Sequence, residues 1–342
     1  MKSGMFRVAI VGAATLKGKE VADVLNDRNF PSDVRLLDDE ESLGQLEAVG
    51  EEVSFVQSVA RDQFTGVDFA FFASEEAFTK RNWVLAKDAG CAIIDLSYAL
   101  ENEPGATVRS PWLERELSQP ITPELQPAPV IAAHPAAQVL ALLLTRAAHL
   151  RRLRTVAAVV IEPASEHGRR GMDELHEQTV NLLSFRELPK QVFDAQVAFN
   201  MIARYGEKSS PTMESVEARI LRHFKKITAE GAVVPSLMLV QAPSFHGHAF
   251  SVYIETDDPA SAGDLAQALT GDHVTVARVA EDSPSNVNAA GQEGILVSVR
   301  RDAERENGFW LWAAADNLRV IANTAVECAE SLMAARPKGK VQ

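Results

Sequence analysis

The chain has 342 residues, of which 46% are hydrophobic and 24% charged, and its formal net charge is −13. That length corresponds to about two domains, and that apolar share builds a full core, which excludes wholesale disorder. An acidic balance lacks the electrostatic footprint that holds phosphate backbones or anionic lipid, so neither nucleic acid nor membrane is an expected partner. Two cysteines, Cys91 and Cys328, with no CxxC pair and no Cys/His array at zinc spacing exclude a disulfide-rich secreted framework. A reducing cytoplasm is the expected setting. The segment MKSGMFRVAIVGAA turns directly into a strand and lacks the apolar core of a signal peptide. The longest uncharged stretch, Gln126–Thr145, is interrupted by Pro127, Pro129, His134, Pro135 and Gln138, so no membrane span is expected.

In chain order, Phe6–Val11 reads as a buried strand and Lys17–Asn26 as a helix. Val34–Leu37 and Val53–Val56 read as short strands, Val67–Ala73 as a strand, Thr79–Ala89 as a helix and Ala92–Leu96 as a strand. This alternation predicts a parallel sheet with helices on its faces and its ligand-binding loops on one edge. Residues 101–129, rich in Pro, Glu and Ser, read as a surface connection, and Pro135–His149 as a buried helix. Beyond them come a strand at Thr155–Ile161, helices at Gly171–Leu183 and Met213–Ile227, and strands at Ser236–Gln241 and Ala249–Thr256. A helix at Ser261–Leu269 and strands at Val274–Val279, Ile295–Arg301 and Gly308–Ala314 follow. Grouped strands with fewer helices predict a second, α+β domain with a mixed or antiparallel sheet. Asp316 is a fitting N-cap for a last helix to about Ala335, which would return to the first domain.

Two local motifs bear on ligands. In Val8-Ala-Ile-Val-Gly12-Ala13-Ala14-Thr15-Leu16-Lys17-Gly18 a strand passes through a glycine turn into a helix, where a dinucleotide pyrophosphate would meet helix N–H groups. Gly12 makes the tight turn and Gly18 allows close helix–strand packing. The middle glycine, which lets the backbone approach the pyrophosphate, is replaced by Thr15, whose Cβ and hydroxyl crowd that place. The acids Asp38-Asp39-Glu40-Glu41 follow the second strand, where a carboxylate accepts from a ribose hydroxyl and repels a 2′-phosphate. Such a run is more often a solvated surface turn.

The segment Val130-Ile-Ala-Ala-His134-Pro135-Ala136-Ala137-Gln138, together with Asn29-Phe30-Pro31, Gly90-Cys91-Ala92-Ile93-Ile94-Asp95-Leu96-Ser97, Gly171-Met172-Asp173-Glu174-Leu175, Gln196-Val197-Ala198-Phe199-Asn200, Gly247-His248, Arg300-Arg301-Asp302 and Asp316-Asn317-Leu318-Arg319, resembles the aspartate-semialdehyde dehydrogenases over nearly the whole chain. The resemblance implies a Rossmann-type dinucleotide-binding domain from residues 1–133 and 317–342, an α+β substrate and dimerisation domain from residues 134–316, and a homodimer. In that family a cysteine thiolate in Asn-Pro-Asn-Cys-Ser/Thr attacks an aldehyde or acyl phosphate, and NADP carries the hydride. NAD or NADP is accordingly the implied cofactor, held weakly here by Gly12, Ala13, Thr15, Leu16, Lys17, Gly18, Asp38 and Asn317.

The chain departs from the family at the places that carry its chemistry. The nucleophile position is Ala137, and a methyl group forms no thioacyl intermediate. The remaining cysteines, one opening a sheet strand and one in the last helix, read as core packing. A family glutamine aligns with Glu162, and the arginine that grips the substrate carboxylate with Gln241, which removes its bidentate fork. The Glu-x-x-Lys piece aligns with Glu214-Ser215-Val216-Glu217. A phosphate-binding arginine is missing after Ser97, where Tyr98-Ala99-Leu100-Glu101 stands, and Val320-Ile321 replaces a Lys-Gly pair beside the nicotinamide. The general-base histidine is kept as His248.

These losses read together as a branch without the cysteine, similar to the Usg-like paralogues, that keeps fold and dimer but serves as a non-catalytic nucleotide-binding or interaction protein. A second reading is an NAD(P)-dependent oxidoreductase on a changed substrate, working through His248 or Glu162. A third is a metal-dependent hydrolase with His134, Glu162, Glu166, His167, His246 and His248 converging on a divalent ion. No HExxH-like spacing supports that set, and no metal is expected.

Overall fold

A computed structural model of the chain describes residues 5–49, 52–119, 128–277 and 283–335. Two compact units are formed, Met1–Ala133 with Ile321–Gln342, and His134–Val320.

In the first unit the elements run β1 (Phe6–Val11), α1 (Leu16–Asp27), β2 (Ser32–Asp38), β3 (Leu46–Val49), β4 (Glu52–Phe55), β5 (Gln57–Ser58), β6 (Phe69–Phe72), α2 (Glu76–Asp88), β7 (Ala92–Asp95), β8 (Thr107–Arg109), α3 (Pro111–Glu116) and β9 (Val130–Ala132). Seven strands pair in the order β5-β2-β1-β6-β7-β9-β8, all in parallel. A parallel sheet covered on both faces needs strands that are apolar throughout. β6 satisfies this with Phe69, Ala70, Phe71 and Phe72, all fully buried. α1 covers the sheet with Gly18, Val21, Ala22 and Leu25, one stripe at helical spacing.

Two expectations for this unit are corrected. The stretch read as a surface connection contains β8 and α3: β8 pairs with β9, Pro111 opens α3, and Trp112 and Leu113 are buried. Pro is favourable at the first helical position, so a Pro-rich composition concealed a helix start. Residues 120–127 of that stretch lie outside the described residues. The strand read at Val53–Val56 is half of a hairpin, β3 with β4, standing apart from the main sheet.

The second unit contains α4 (Pro135–Leu150), β10 (Leu153–Glu162), α5 (Gly168–Leu183), α6 (Met213–Ile227), β11 (Ser236–Gln241), β12 (His248–Thr256), α7 (Ala262–Leu269), β13 (Val274–Val276), α8 (Asn286–Ala289), β14 (Ile295–Arg301) and β15 (Gly308–Ala315). The strand read to Val279 ends at Val276, and residues 278–282 lie outside the described residues. Six strands pair in the order β11-β10-β12-β15-β14-β13, with β10–β11 and β13–β14 parallel and the three other pairs antiparallel. The fold is therefore a Rossmann-type parallel sheet joined in one chain to a mixed-sheet α+β unit.

The closing helix α9 (Asn317–Ala335) is capped by Asp316, whose Oδ1 accepts from Leu318 N and Arg319 N at 3.0 and 3.1 Å. Its body belongs to the first unit, where Ile321, Ala322, Ala325, Val326, Cys328 and Ala329 join the core. Among the described residues no helix is long and apolar enough to cross a membrane.

Candidate functional site

The glycine turn of the first unit is held by its own side chains. Gly12 takes φ +89°, and a Cβ there would stand 2.6 Å from Ser74 N; a Cβ on Gly18 would collide with the Gly12 carbonyl. Thr15 caps α1: Oγ1 accepts from Gly18 N at 3.0 Å and donates to Gly12 O at 2.7 Å, with Ala73 O 3.1 Å away. The parallel register of Val11 with Leu37 brings Asp38 beside this turn. Its carboxylate accepts from Ala14 N at 2.8 Å and from Asp39 N at 2.9 Å, and only 5% of the residue is exposed. Burial raises the Asp38 pKa, against the lowering effect of those two amides. Gly12 N and Ala13 N are taken by Leu37 O. Lys17 reaches Leu96 O at 3.1 Å, with its ammonium 4.9 Å from the Tyr98 ring centroid. Nearby, buried Asp95 accepts from Ser97 N, Ser97 Oγ and Leu100 N at 2.7, 2.6 and 2.9 Å.

In the second unit, sheet register assembles a polar cluster at one edge. Glu162 ends β10 and is paired with Gln241, which ends β11. His248 opens β12 and is paired with Ala315, which ends β15 just before Asn317. An isolated bridge between Ile202 and Gln241 brings in the segment carrying Tyr205. The Tyr205 hydroxyl lies 2.8 Å from Gln241 Oε1, 3.2 Å from Glu162 Oε1 and 2.8 Å from His167 Nε2. Burial, then the neighbouring Glu162 charge, raises the phenol pKa, so Tyr205 is a neutral donor. Gln241 directs both amide hydrogens to backbone, at Glu162 O (3.1 Å) and Ala242 O (2.9 Å). Glu162 is 1% exposed, its Oε1 is 3.4 Å from His167 Nε2, and its Oε2 has no hydrogen-bond partner.

His248 is equally buried, and neither ring nitrogen has a hydrogen-bond partner; Nε2 is 3.6 Å from Glu166 Oε1. Asn317, expected among cofactor contacts, belongs to this unit: Nδ2 donates to Glu166 Oε1 at 2.9 Å and to Ser165 Oγ at 3.1 Å, and Oδ1 accepts from Gly247 N at 3.1 Å. His134 caps α4 with Nδ1, which accepts from Ala136 N at 3.2 Å, while its own N–H donates to His223 Nδ1 at 3.0 Å. The His134 and His248 ring centroids are 6.1 Å apart. Burial drives the His134 imidazole well below its ordinary pKa; Glu166 opposes this, while His248, His223 and Arg219 add to it.

Ala137 sits fully buried in the first turn of α4. A helix N-terminus is where a thiolate is stabilised, but the side chain there is a methyl. Both thiols belong to the first unit: Cys91 Sγ is 3.7 Å from Phe64 O, and Cys328 is in the same core. Glu217 uses Oε1 to accept Leu239 N at 2.7 Å. Among the described residues no group of three or more His, Cys, Asp or Glu is arranged to hold an ion.

Tyr205, Ser165, His223 and Arg219 were missed by sequence reasoning. Tyr205 is one of three tyrosines in the chain but carries no motif. The Ile202–Gln241 bridge, beside the β10–β11 pairing, brings it to Glu162 and Gln241. Arg219 returns a guanidinium to a region expected to have lost its positive charge, from a helical position outside the Glu-x-x-Lys piece.

Residues 7–162 match the family model described as semialdehyde dehydrogenase, NAD binding domain, and residues 144–320 match semialdehyde dehydrogenase, dimerisation domain. A USG-1 protein homolog of Pseudomonas aeruginosa is 31% identical over 316 residues, 91% of this chain and 93% of that protein. An aspartate-semialdehyde dehydrogenase of Rickettsia conorii is 29% identical over 339 residues, 96% of this chain and 98% of that protein. The crystal structure of aspartate semialdehyde dehydrogenase II from Vibrio cholerae superposes with a TM-score of 0.85 at 26% identity, over 97% of this chain and 99% of that one. Two domain models matched in tandem, and relatives aligned over more than nine-tenths of the sequence, show that the chain belongs to the aspartate-semialdehyde dehydrogenase family.

Proposed function

We propose that this chain is a non-catalytic member of its family, a dimeric binding protein that does not form a thioacyl intermediate. One observation carries the reading: the first turn of α4 presents the buried methyl of Ala137 where the family's resemblance calls for a thiolate, and the second unit contains no cysteine. Gln241 supports it, because its amide is fully engaged with Tyr205 and backbone carbonyls and offers nothing to a substrate carboxylate.

The turn after β1 does not fit a tightly held dinucleotide pyrophosphate. A bound pyrophosphate is held by amides at such a turn. Here the Ala14 and Gly18 amides are occupied by Asp38 and Thr15. Weak nucleotide binding follows, with NADH preferred to NADPH because Asp38 and Asp39 repel a 2′-phosphate. A nicotinamide-dependent oxidoreductase on a changed substrate is the second reading, favoured by the retained His248.

The deciding experiment assays the purified protein for phosphate-dependent oxidation of aspartate semialdehyde with NADP and with NAD. No turnover above the blank is expected, and none from Ala137→Cys alone. Turnover by the unaltered protein would refute the reading; turnover by Ala137→Cys would refute the account of Gln241. In parallel titrations, micromolar NADPH affinity would refute the account of the turn.

The family description of the second unit supports a homodimer, and so does its sheet. Ser251 lies in one row with Met238, Val159, Trp312 and Ser298, paired across five strands on the face opposite buried Phe250 and Val252. Trp312 and Val159 stay partly exposed and Met238 is 53% exposed, an apolar face suited to a second copy. Two buried, unbridged thiols accord with a cytoplasmic setting.

A further inference from the structure

We propose that the polar cluster of the second unit binds a small primary amine through Glu162 and His248, where the family's chemistry would place an anion. The inference rests on the reading that this site no longer performs acyl transfer.

It follows from counting donors against acceptors. Gln241 has two amide hydrogens, and both go to backbone carbonyls. Asn317 has two, directed to Glu166 and Ser165. The single Tyr205 hydrogen has acceptors already in reach, Gln241 Oε1 and Glu162 Oε1 at 2.8 and 3.2 Å, with His167 Nε2 at 2.8 Å. These donors are exhausted. Acceptors are left over: Glu162 Oε2 is buried with no hydrogen-bond partner, and a carboxylate oxygen only accepts. His248 has two buried, unpartnered nitrogens. Glu166 Oε1 stands 3.6 Å from Nε2, which favours the proton on that nitrogen and leaves Nδ1 as a second orphan acceptor. A ligand that completes this set must bring N–H or O–H groups.

Charge points the same way. Glu162 and Glu166 contribute two carboxylates, and the Arg219 guanidinium bears on the cluster at His134. A buried carboxylate oxygen without a donor calls for a positive charge. An ammonium supplies three donors and that charge together, whereas a carboxylate or phosphate would face Glu162 Oε2 with no donor to receive it.

The test titrates the full-length protein at constant ionic strength with ethanolamine as the probe, and with acetate and inorganic phosphate as anionic comparators. Calorimetry reads binding, and 15N shifts of the imidazoles report on His248. The expected result is saturable millimolar ethanolamine binding that moves the His248 ring shifts. Glu162→Gln should weaken that binding by about tenfold, the scale of a lost charge-assisted hydrogen bond. Acetate and phosphate should not saturate. If Glu162→Gln fails to fold, the His248 shifts of the unaltered protein decide. Saturable anion binding, unchanged affinity in Glu162→Gln, static His248 shifts, or no binding because water alone fills the site would each overturn the proposal. Turnover of aspartate semialdehyde would instead overturn the non-catalytic reading, and is measured separately.

Discussion

Single side chains of this protein show how burial changes chemistry. His134 is 2% exposed and its imidazole is held neutral. Its folded pKa lies below the unfolded value near 6.5, so the unfolded state takes up the proton first. Above about pH 6.5 both states are neutral and this group adds no pH dependence. As pH falls from about 6.5 toward the folded value, stability is lost at up to ~1.4 kcal/mol per pH unit. His134→Asn keeps a capping acceptor and removes the titration. Urea unfolding of that variant should show a flatter stability profile between about pH 6.5 and 5; an unchanged slope would assign acid sensitivity to other groups. The thiols make a second case. Burial pushes Cys91 up to about 11 and Cys328 to about 12, and neither has accessible surface. At pH 8 the native protein should leave both unlabelled by a thiol reagent over minutes, and full labelling should appear only in denaturant. Rapid native labelling of either would contradict their place in the core.

Among the elements, the β1–α1 connection shows what a motif does and does not determine. Gly12 and Gly18 are required by contact, since a Cβ at either meets backbone. Gly18→Ala should therefore destabilise by about 1–3 kcal/mol, the range for overpacking, measured as a lowered urea midpoint with unchanged slope. A neutral result would mean that α1 is free to move off the strand. The glycines and the strand–turn–helix order were legible in the sequence, as were Met213–Ile227, Ser236–Gln241 and Ile295–Arg301, whose observed limits coincide with the predicted ones. Periodicity and caps are local, so they are readable locally. The destination of each polar group was not. Asp38, read as a ribose ligand, also accepts from the Ala14 and Asp39 amides, because parallel pairing with β1 brings it beside the loop. The helix α3 was concealed by composition, and its Trp112 is buried, with the indole N–H donating to Glu327 Oε1 at 3.4 Å.

For the whole molecule, the open face of the second sheet sets the expected assembly. Ser251→Arg places a charge in the middle of the row from Met238 to Ser298. The unaltered protein should sediment as a dimer at micromolar concentration, and the variant should shift to monomer while keeping its far-ultraviolet circular dichroism. A monomeric parent, or a variant that remains a dimer, would move the interface elsewhere.

By itself the sequence determined the two architectures, the family and the alanine at the family's nucleophile position, because chain-local patterns and the identity at a motif position need no coordinates. Only the tertiary structure decided which donors remain available. Tyr205, Glu162 and Gln241 lie 36 to 79 residues apart along the chain and meet through strand register. Hydrogen-bond saturation is a property of neighbours in space. That is why Gln241, which the sequence shows only as a lost arginine, is found with its amide fully engaged, while His248 is left buried with two unanswered nitrogens.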